Sequence, residues 1–213
     1  MMKKHDDTIY CNLSMIFVVL LILANTIANR LISIGDLILP SAIIVFPLTY
    51  IIGDIVTEIY GFEKTRKLII MSLLLNSLFV VLGVIAVSMP APSDAKNILS
   101  YTDVFYVAPK IVIASICGFF VGSLANAFVM HKMKNHKRMK RYLFGRIFVS
   151  TIVGVFFDTC LFVIIAFVGS MNIIVITGII ITQFVMKIIY ETVFSPITIL
   201  IIKKMNRYIS ISS

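Results

Sequence analysis

The chain has 213 residues, of which 60% are hydrophobic and 14% charged, and its formal net charge is +9 at pH 7. Soluble domains are usually about 25% charged, so the composition excludes an ordinary soluble domain and indicates an integral membrane protein. Cys11, Cys117 and Cys160 have neither metal-ligand nor disulfide-framework spacing, and no phosphate-binding loop, Ser/His/Asp arrangement or HExxH occurs, so we expect no enzyme activity, metal or cofactor.

Six apolar segments follow one another along the chain. About 20 apolar residues, rising about 1.5 Å each, cross a hydrocarbon core of about 30 Å. The segments lie near residues 13–34, 39–60, 68–89, 111–130, 147–168 and 173–202. The sequence therefore predicts an all-α integral membrane protein, a six-transmembrane-helix bundle that forms a single domain over residues 1–213.

The first segment has two interpretations. Lys3 and Lys4 before an apolar run resemble a secretory signal peptide. However, Asn25, Asn29 and Arg30 stand where such a peptide needs a small-residue cleavage site. We therefore expect the segment to be a retained helix.

The basic residues predict the orientation. With the N-terminus in the cytoplasm, 15 of the 19 Lys and Arg residues lie in cytoplasmic segments, all but Arg30, Lys96, Lys110 and Lys187. Cytoplasmic loops of membrane proteins carry such an excess, so both termini are predicted to be cytoplasmic. The basic run at 131–141 lacks a fold for nucleic-acid binding, and we expect it to face anionic lipid of the bilayer.

Five ionisable residues lie inside the predicted spans: Asp54, Glu58, Asp158, Lys187 and Glu191. A charge at the bilayer centre costs about 3 kcal/mol on insertion scales. A chain that carries five of them is expected to hold them in a polar interior. That interior indicates a transport pathway or a binding pocket.

Residues spaced by four share a helix face, and this spacing aligns polar residues in several spans. The stripes are Phe46, Tyr50, Asp54 and Glu58; Arg146, Ser150, Gly154 and Asp158; Gln183, Lys187, Glu191 and Ser195; and Ser115, Gly118, Gly122 and Asn126 share a further face. Two structural alternatives stay open. Lys187 and Glu191 could form an ion pair within one helix that only lowers an insertion cost, and Gly118 with Gly122 forms a GxxxG that serves close helix packing.

A weak internal repeat also occurs. Leu-Ala-Asn at 23–25 recurs at 124–126, and Asp54 of the second span corresponds to Asp158 of the fifth. Three helices per half would make the halves inverted, as in many transporters. A 3+3 inverted repeat is therefore an alternative to an irregular bundle.

The run FPLTYIIGDIVTEIYG at 46–61 resembles the signature of the queuosine precursor transporter family (VUT or YhhQ type). Later pieces fit in order: Arg146, Ser150-Thr151, Asp158-Thr159, Gln183, Lys187, Glu191, Pro196 and a basic tail. The resemblance implies a multi-pass transporter of the prokaryotic inner membrane. It also implies uptake of a 7-deazaguanine base for tRNA modification, such as 7-cyano-7-deazaguanine, 7-aminomethyl-7-deazaguanine or queuine.

The polar residues suit such a ligand. A deazaguanine presents an N1–H and an exocyclic amine side by side, which a carboxylate accepts as a bidentate pair, while O6 accepts from an amide or ammonium and the ring packs on an aromatic face. The predicted substrate-binding residues are Asp54, Glu58, Asp158, Lys187, Glu191, Asn126, Gln183, Tyr50 and Phe46. Phe157 is a further aromatic candidate.

An alternative function is a six-helix substrate-binding subunit that captures a vitamin-like ligand and needs a separate ATP-driven module. The sequence leaves open the preferred precursor, the energy source and the oligomeric state, including a homodimer.

Overall fold

A computed structural model describes residues 2–27, 30–34, 37–91, 102, 104–105, 109–136, 139, 141–169 and 172–212. Its helices of 15 residues or more are α1 (Met2–Ile27), α2 (Phe46–Tyr60), α3 (Phe62–Ser88), α4 (Pro109–Lys134), α5 (Leu143–Phe167) and α6 (Ile173–Ser212). All of these except α2 contain a segment long and apolar enough to cross a membrane. The predicted class, a helical membrane bundle, is confirmed, whereas the sixth span, the orientation and the inverted repeat stay predictions.

Two short strands stand between α1 and α2, where the sequence predicted helix. Strand β1 (Leu31–Ile34) pairs antiparallel with β2 (Leu37–Pro40), and Ile34 lies opposite Leu37. The first predicted helix therefore ends at Ile27 instead of near residue 34, and the second begins at Phe46 instead of near 39. Short apolar runs fit a strand as well as a helix. Two such runs on either side of a Gly-Asp dipeptide are the hairpin pattern that hydropathy alone overlooks.

A 3-10 helix at Ser41–Ile44 leads from the hairpin into α2. Ser41 is fixed to the end of α1, because its N–H donates to the carbonyl of Arg30 at 2.8 Å and its hydroxyl to that of Ile27 at 2.6 Å. Pro47 falls in the first turn of α2, where its missing N–H would have no helical partner. Alone, α2 rises only about 22 Å. With the 3-10 helix, residues 41–60 rise about 30 Å, enough to reach across a bilayer.

The helices alternate in direction. The Tyr10 ring of α1 lies edge-on to Tyr60 at the end of α2, with centroids 5.2 Å apart, and Ala24 near the end of α1 packs with Ala42 and Val45. We call the end of the bundle that carries the hairpin the hairpin end. The opposite end, where α2 leads into Lys64, is the basic end.

The closest approach is between α4 and α5. A Cβ added at Gly122 would lie 2.5 Å from the Cβ of Asp158, and one added at Gly118 would lie 2.7 Å from the Asp158 carbonyl. A Cβ added at Gly154 would lie 2.7 Å from the Cβ of Asn126. Small residues therefore bring the two backbones together, as the GxxxG spacing indicates, and this contact positions Asp158 and Asn126 inside the bundle.

The outer faces are apolar. Met71, Leu74, Leu78 and Leu82 of α3 are exposed and follow one another at helical spacing. An exposed apolar stripe of this length matches a lipid-facing surface. The polar groups described next lie on the opposite, inward side of the bundle.

Candidate functional site

A cavity of about 180 Å³ lies within the half of the bundle nearest the hairpin end. Six of the predicted site residues line it: Phe46 and Tyr50 from α2, Asp158 from α5, and Gln183, Lys187 and Glu191 from α6. Further lining comes from Asn25 near the end of α1 and Ser115 near the start of α4. A cavity of about 150 Å³ in another protein holds benzene, so the space suits a small planar molecule.

An ion pair between α5 and α6 forms part of the lining. The Lys187 ammonium lies 2.5 Å from a carboxylate oxygen of Asp158, whose side chain is 6% exposed. The same ammonium lies 5.3 Å from the centroid of the Phe46 ring, within cation–π range. Lys187 therefore has its partner on another helix, and it connects the acidic residue to the aromatic one.

Glu191 lines the cavity, and its carboxylate has no partner among the described residues. Its residue is 6% exposed, and neither carboxylate oxygen has a hydrogen-bond partner among the described residues. The Tyr50 hydroxyl, on a residue 5% exposed, is likewise unpartnered within the described parts of the chain. A buried polar group without a partner is costly, so these two groups are prepared to bond to something that enters the cavity.

Asp54 lies deeper, outside the cavity lining. It is fully buried, and one of its oxygens accepts from the Asn126 amide at 2.8 Å. Its second oxygen has no partner in the described residues. Asn126 and Tyr50 both line a second, small cavity of about 20 Å³ together with Ser123 and Thr65, which has room for about one water molecule.

Glu58 lies apart from the other predicted residues, toward the basic end. Its carboxylate lies 2.8 Å from an Arg146 nitrogen and 3.8 Å from the Lys134 ammonium, and Lys134 also donates to the Glu58 carbonyl. Arg146 is 3% exposed. We call these three residues the basic-end ion cluster. It joins the ends of α2 and α4 to the start of α5 and does not line the cavity.

Sequence reasoning placed Arg146 on a polar face without making it a site residue, and it gave Asn25, Ser115 and Tyr190 no role. The four-residue spacing from Arg146 to Asp158 could have indicated that Arg146 faces the interior, because it places both charges on one side of α5. Asn25 accepts from the Ser115 hydroxyl at 3.3 Å. Tyr190 also lines the cavity, and its place one turn after Lys187 could have indicated this.

The charges do not balance within the described residues. Lys187 pairs with Asp158, and Arg146 and Lys134 pair with Glu58. Asp54 and Glu191, which interact with each other electrostatically, have no ion-pair partner in the described parts of the chain. Among the described residues, the interior thus holds one ion pair, one cluster of two cations with a single carboxylate, and two carboxylates that have no ion-pair partner.

Comparison with protein families finds a match over most of the chain. A family model described as "Putative vitamin uptake transporter" matches residues 40–201 of the 213. The matched range includes all nine predicted site residues. It also includes all residues that line the two cavities, apart from those contributed by α1. Comparison with curated proteins and with solved structures finds no match.

Proposed function

Because the chain belongs to the vitamin uptake transporter family, we propose that it carries a queuosine precursor, a 7-deazaguanine base, across the cell membrane for tRNA modification. The family is one of transporters, so the chain is a multi-pass membrane protein that moves a small molecule and is not an enzyme. The finer assignment of the substrate comes from the resemblance of the sequence to the queuosine precursor transporter family, and the residues of the cavity support it.

The unpartnered carboxylate of Glu191 is the observation that carries the substrate proposal. The N1–H and exocyclic amine of a deazaguanine match the two oxygens of one carboxylate. Glu191 lines the cavity with both oxygens unpartnered in the described residues. Asp158 is engaged by Lys187, and Glu58 is engaged at the basic end. Glu191 is therefore the preferred acceptor among the four carboxylates that the sequence offered.

The remaining contacts follow from the lining. O6 of the base needs a donor, and Lys187 or the Gln183 amide supplies one. The rings of Phe46 and Tyr50, whose centroids lie 5.6 Å apart, offer aromatic faces to the flat base. Each of these side chains lines the same cavity.

We further propose a sixth span at 41–60 with both termini cytoplasmic, so that the cavity half faces outward. Reporter fusions at Lys64, Lys96, Lys137 and Lys204 should read inside, outside, inside and inside. An external signal at Lys137 would reverse the orientation. The residues at 96 and 137 lie outside the described part of the chain. Reporter fusions measure only which side of the membrane a loop lies on, so this test does not depend on the geometry of the cavity.

Uptake in a host that neither makes nor imports queuosine precursors tests the function. Expression of this chain alone should restore queuosine in tRNA when 7-cyano-7-deazaguanine, 7-aminomethyl-7-deazaguanine or queuine is supplied, and competition among the three gives the preferred base. The variant Glu63→Gln, on an exposed side chain of α3, is the matched control. Restoration only with an added ATP-driven module would assign the chain to the binding-subunit class, and no restoration in either case contradicts the proposal.

A further inference from the structure

Among the residues that the structure describes, Asp54 is the most deeply buried acid, at 0% exposure. The only side chain that bonds to it among the described residues is the neutral amide of Asn126. This is unlike Asp158 and Glu58, each of which lies beside a cation. An acid that is buried and bonded only to a neutral donor has a position suited to binding a proton.

The charged groups around Asp54 also favour its binding of a proton. On its own helix, Glu58 and Tyr50 interact with it electrostatically, and on α6 Glu191 does so. The cations of the neighbouring helices are committed elsewhere: Lys187 of α6 to Asp158 of α5, and Arg146 of α5 with Lys134 of α4 to Glu58. Asp54 and Glu191 have no ion-pair partner among the described residues, and two such carboxylates repel when both are ionised. One proton removes that repulsion.

The small cavity is lined both by Asn126, which bonds to Asp54, and by Tyr50, which also lines the main cavity. Tyr50 lies one turn before Asp54 on α2. The Tyr50 hydroxyl and the side-chain amide oxygen of Asn126 have no hydrogen-bond partner among the described residues. A single water in the small cavity, which has room for about one, would connect these two groups.

We propose that Asp54 is the proton-binding site that couples uptake of the base to the proton gradient, an inference that rests on the proposed function. With the cavity open to the outside, a hydronium ion gives its proton to the Asp54 carboxylate and leaves water. The base binds at Glu191, and the carrier reorients with a neutral Asp54. On the cytoplasmic side Asp54 returns the proton to water, so that one proton enters with each base.

Proteoliposomes that contain the full chain test the coupling. The probe is labelled 7-cyano-7-deazaguanine, whose neutral substituent does not itself respond to pH, and the membrane potential is clamped at zero. For one proton per base, an external pH one unit lower than the internal pH supports an accumulation of up to about tenfold. Wild type should accumulate the base and acidify the lumen in proportion to the base taken up. A protonophore, which equilibrates the pH by itself, should abolish the accumulation of base.

The variants separate coupling from transport. Asp54→Asn should show an accumulation ratio of one at every pH gradient while still exchanging labelled for unlabelled base at equal pH, and Asp54→Glu should recover gradient-driven accumulation. Glu63→Gln is the surface control. Gradient-independent accumulation in wild type, or a proton-coupled Asp54→Asn, overturns the inference.

A measurement without substrate distinguishes failure of the coupling from failure of the proposed function. Infrared spectra of the purified chain should contain the carbonyl band of a buried neutral carboxylic acid that Asp54→Asn lacks and Asp54→Glu shifts. Absence of exchange with every base, with the band present, refutes the proposed substrate and leaves the proton site. Exchange without the band, or a band unchanged in Asp54→Asn, refutes the proton site alone.

Discussion

At the basic end, the Glu58 carboxylate lies 2.8 Å from Arg146 and 3.8 Å from Lys134, and Glu58 does not line the cavity of about 180 Å³. In the hairpin half, Glu191 and the Tyr50 hydroxyl have no partners among the described residues, and they adjoin a cavity of about 180 Å³. Both halves bury acids at similar depth. Burial of a charge therefore does not by itself indicate a ligand site, and an acid without a partner beside open space is the stronger indication.

The largest expected effect is on the ion pair that lines the cavity. Asp158→Asn leaves the Lys187 ammonium in the cavity without its partner, and we expect this to weaken binding of the base more than it destabilises the fold. Uptake should fall by about a hundredfold, which corresponds to about 2.8 kcal/mol of binding free energy, with near-normal amounts of protein in the membrane. Uptake assays normalised by immunoblot measure this.

The double variant decides whether the pair is functional or only structural. If Asp158 and Lys187 merely neutralise each other, Asp158→Asn with Lys187→Met should recover the activity that each single change loses. We expect the double variant to stay inactive. It lacks the Lys187 ammonium that donates to O6 of the base, and two charged groups no longer line the cavity. A recovered double variant would remove both residues from the site.

A second comparison sets Glu191 against Glu58. A site built around a substrate's donors rejects analogues that lack them, so wild type should prefer guanine-type competitors over hypoxanthine-type ones, which lack the exocyclic amine. Glu191→Gln should reduce this preference by about tenfold, whereas Glu58→Gln should lower thermal stability and keep the preference. Competition curves and melting temperatures of the purified variants separate the two acids. Equal preference in wild type and Glu191→Gln would mean that the cavity reads only ring shape.

The smallest expected effect is on packing. Gly122→Ala places a Cβ 2.5 Å from that of Asp158, whereas Gly178 on α6 has nothing within 4 Å of its added Cβ. Overpacking of this kind costs about 1–3 kcal/mol, so Gly122→Ala should lower the melting temperature by several degrees and Gly178→Ala should not. Similar melting temperatures would show that α4 and α5 separate without cost.

Hydropathy predicted both ends of α4 and α5 to within four residues, because length and apolarity are all that a span requires. It predicted α1 and α6 less well: α1 begins at residue 2 instead of near 13, and α6 ends at residue 212 instead of near 202. It could not predict the hairpin at residues 31–40, where short apolar runs suit either structure. The four-residue spacing brought Phe46, Tyr50, Lys187 and Glu191 to inward faces correctly. It could not pair Lys187 with Asp158 or separate Glu58 from the cavity, since the depth and rotation of one helix against another are set by packing between helices.

The central claim is that the cavity of the hairpin half binds a deazaguanine base. Its most direct test is photolabelling of the purified full chain with 7-aminomethyl-7-deazaguanine that carries a diazirine on its amine. We expect labelled peptides from residues 46–50 and 183–191, displaced by the unlabelled base and much less by a hypoxanthine-type analogue. Labelling that concentrates on the lipid-facing surface of α3, or that the unlabelled base does not displace, would contradict the account.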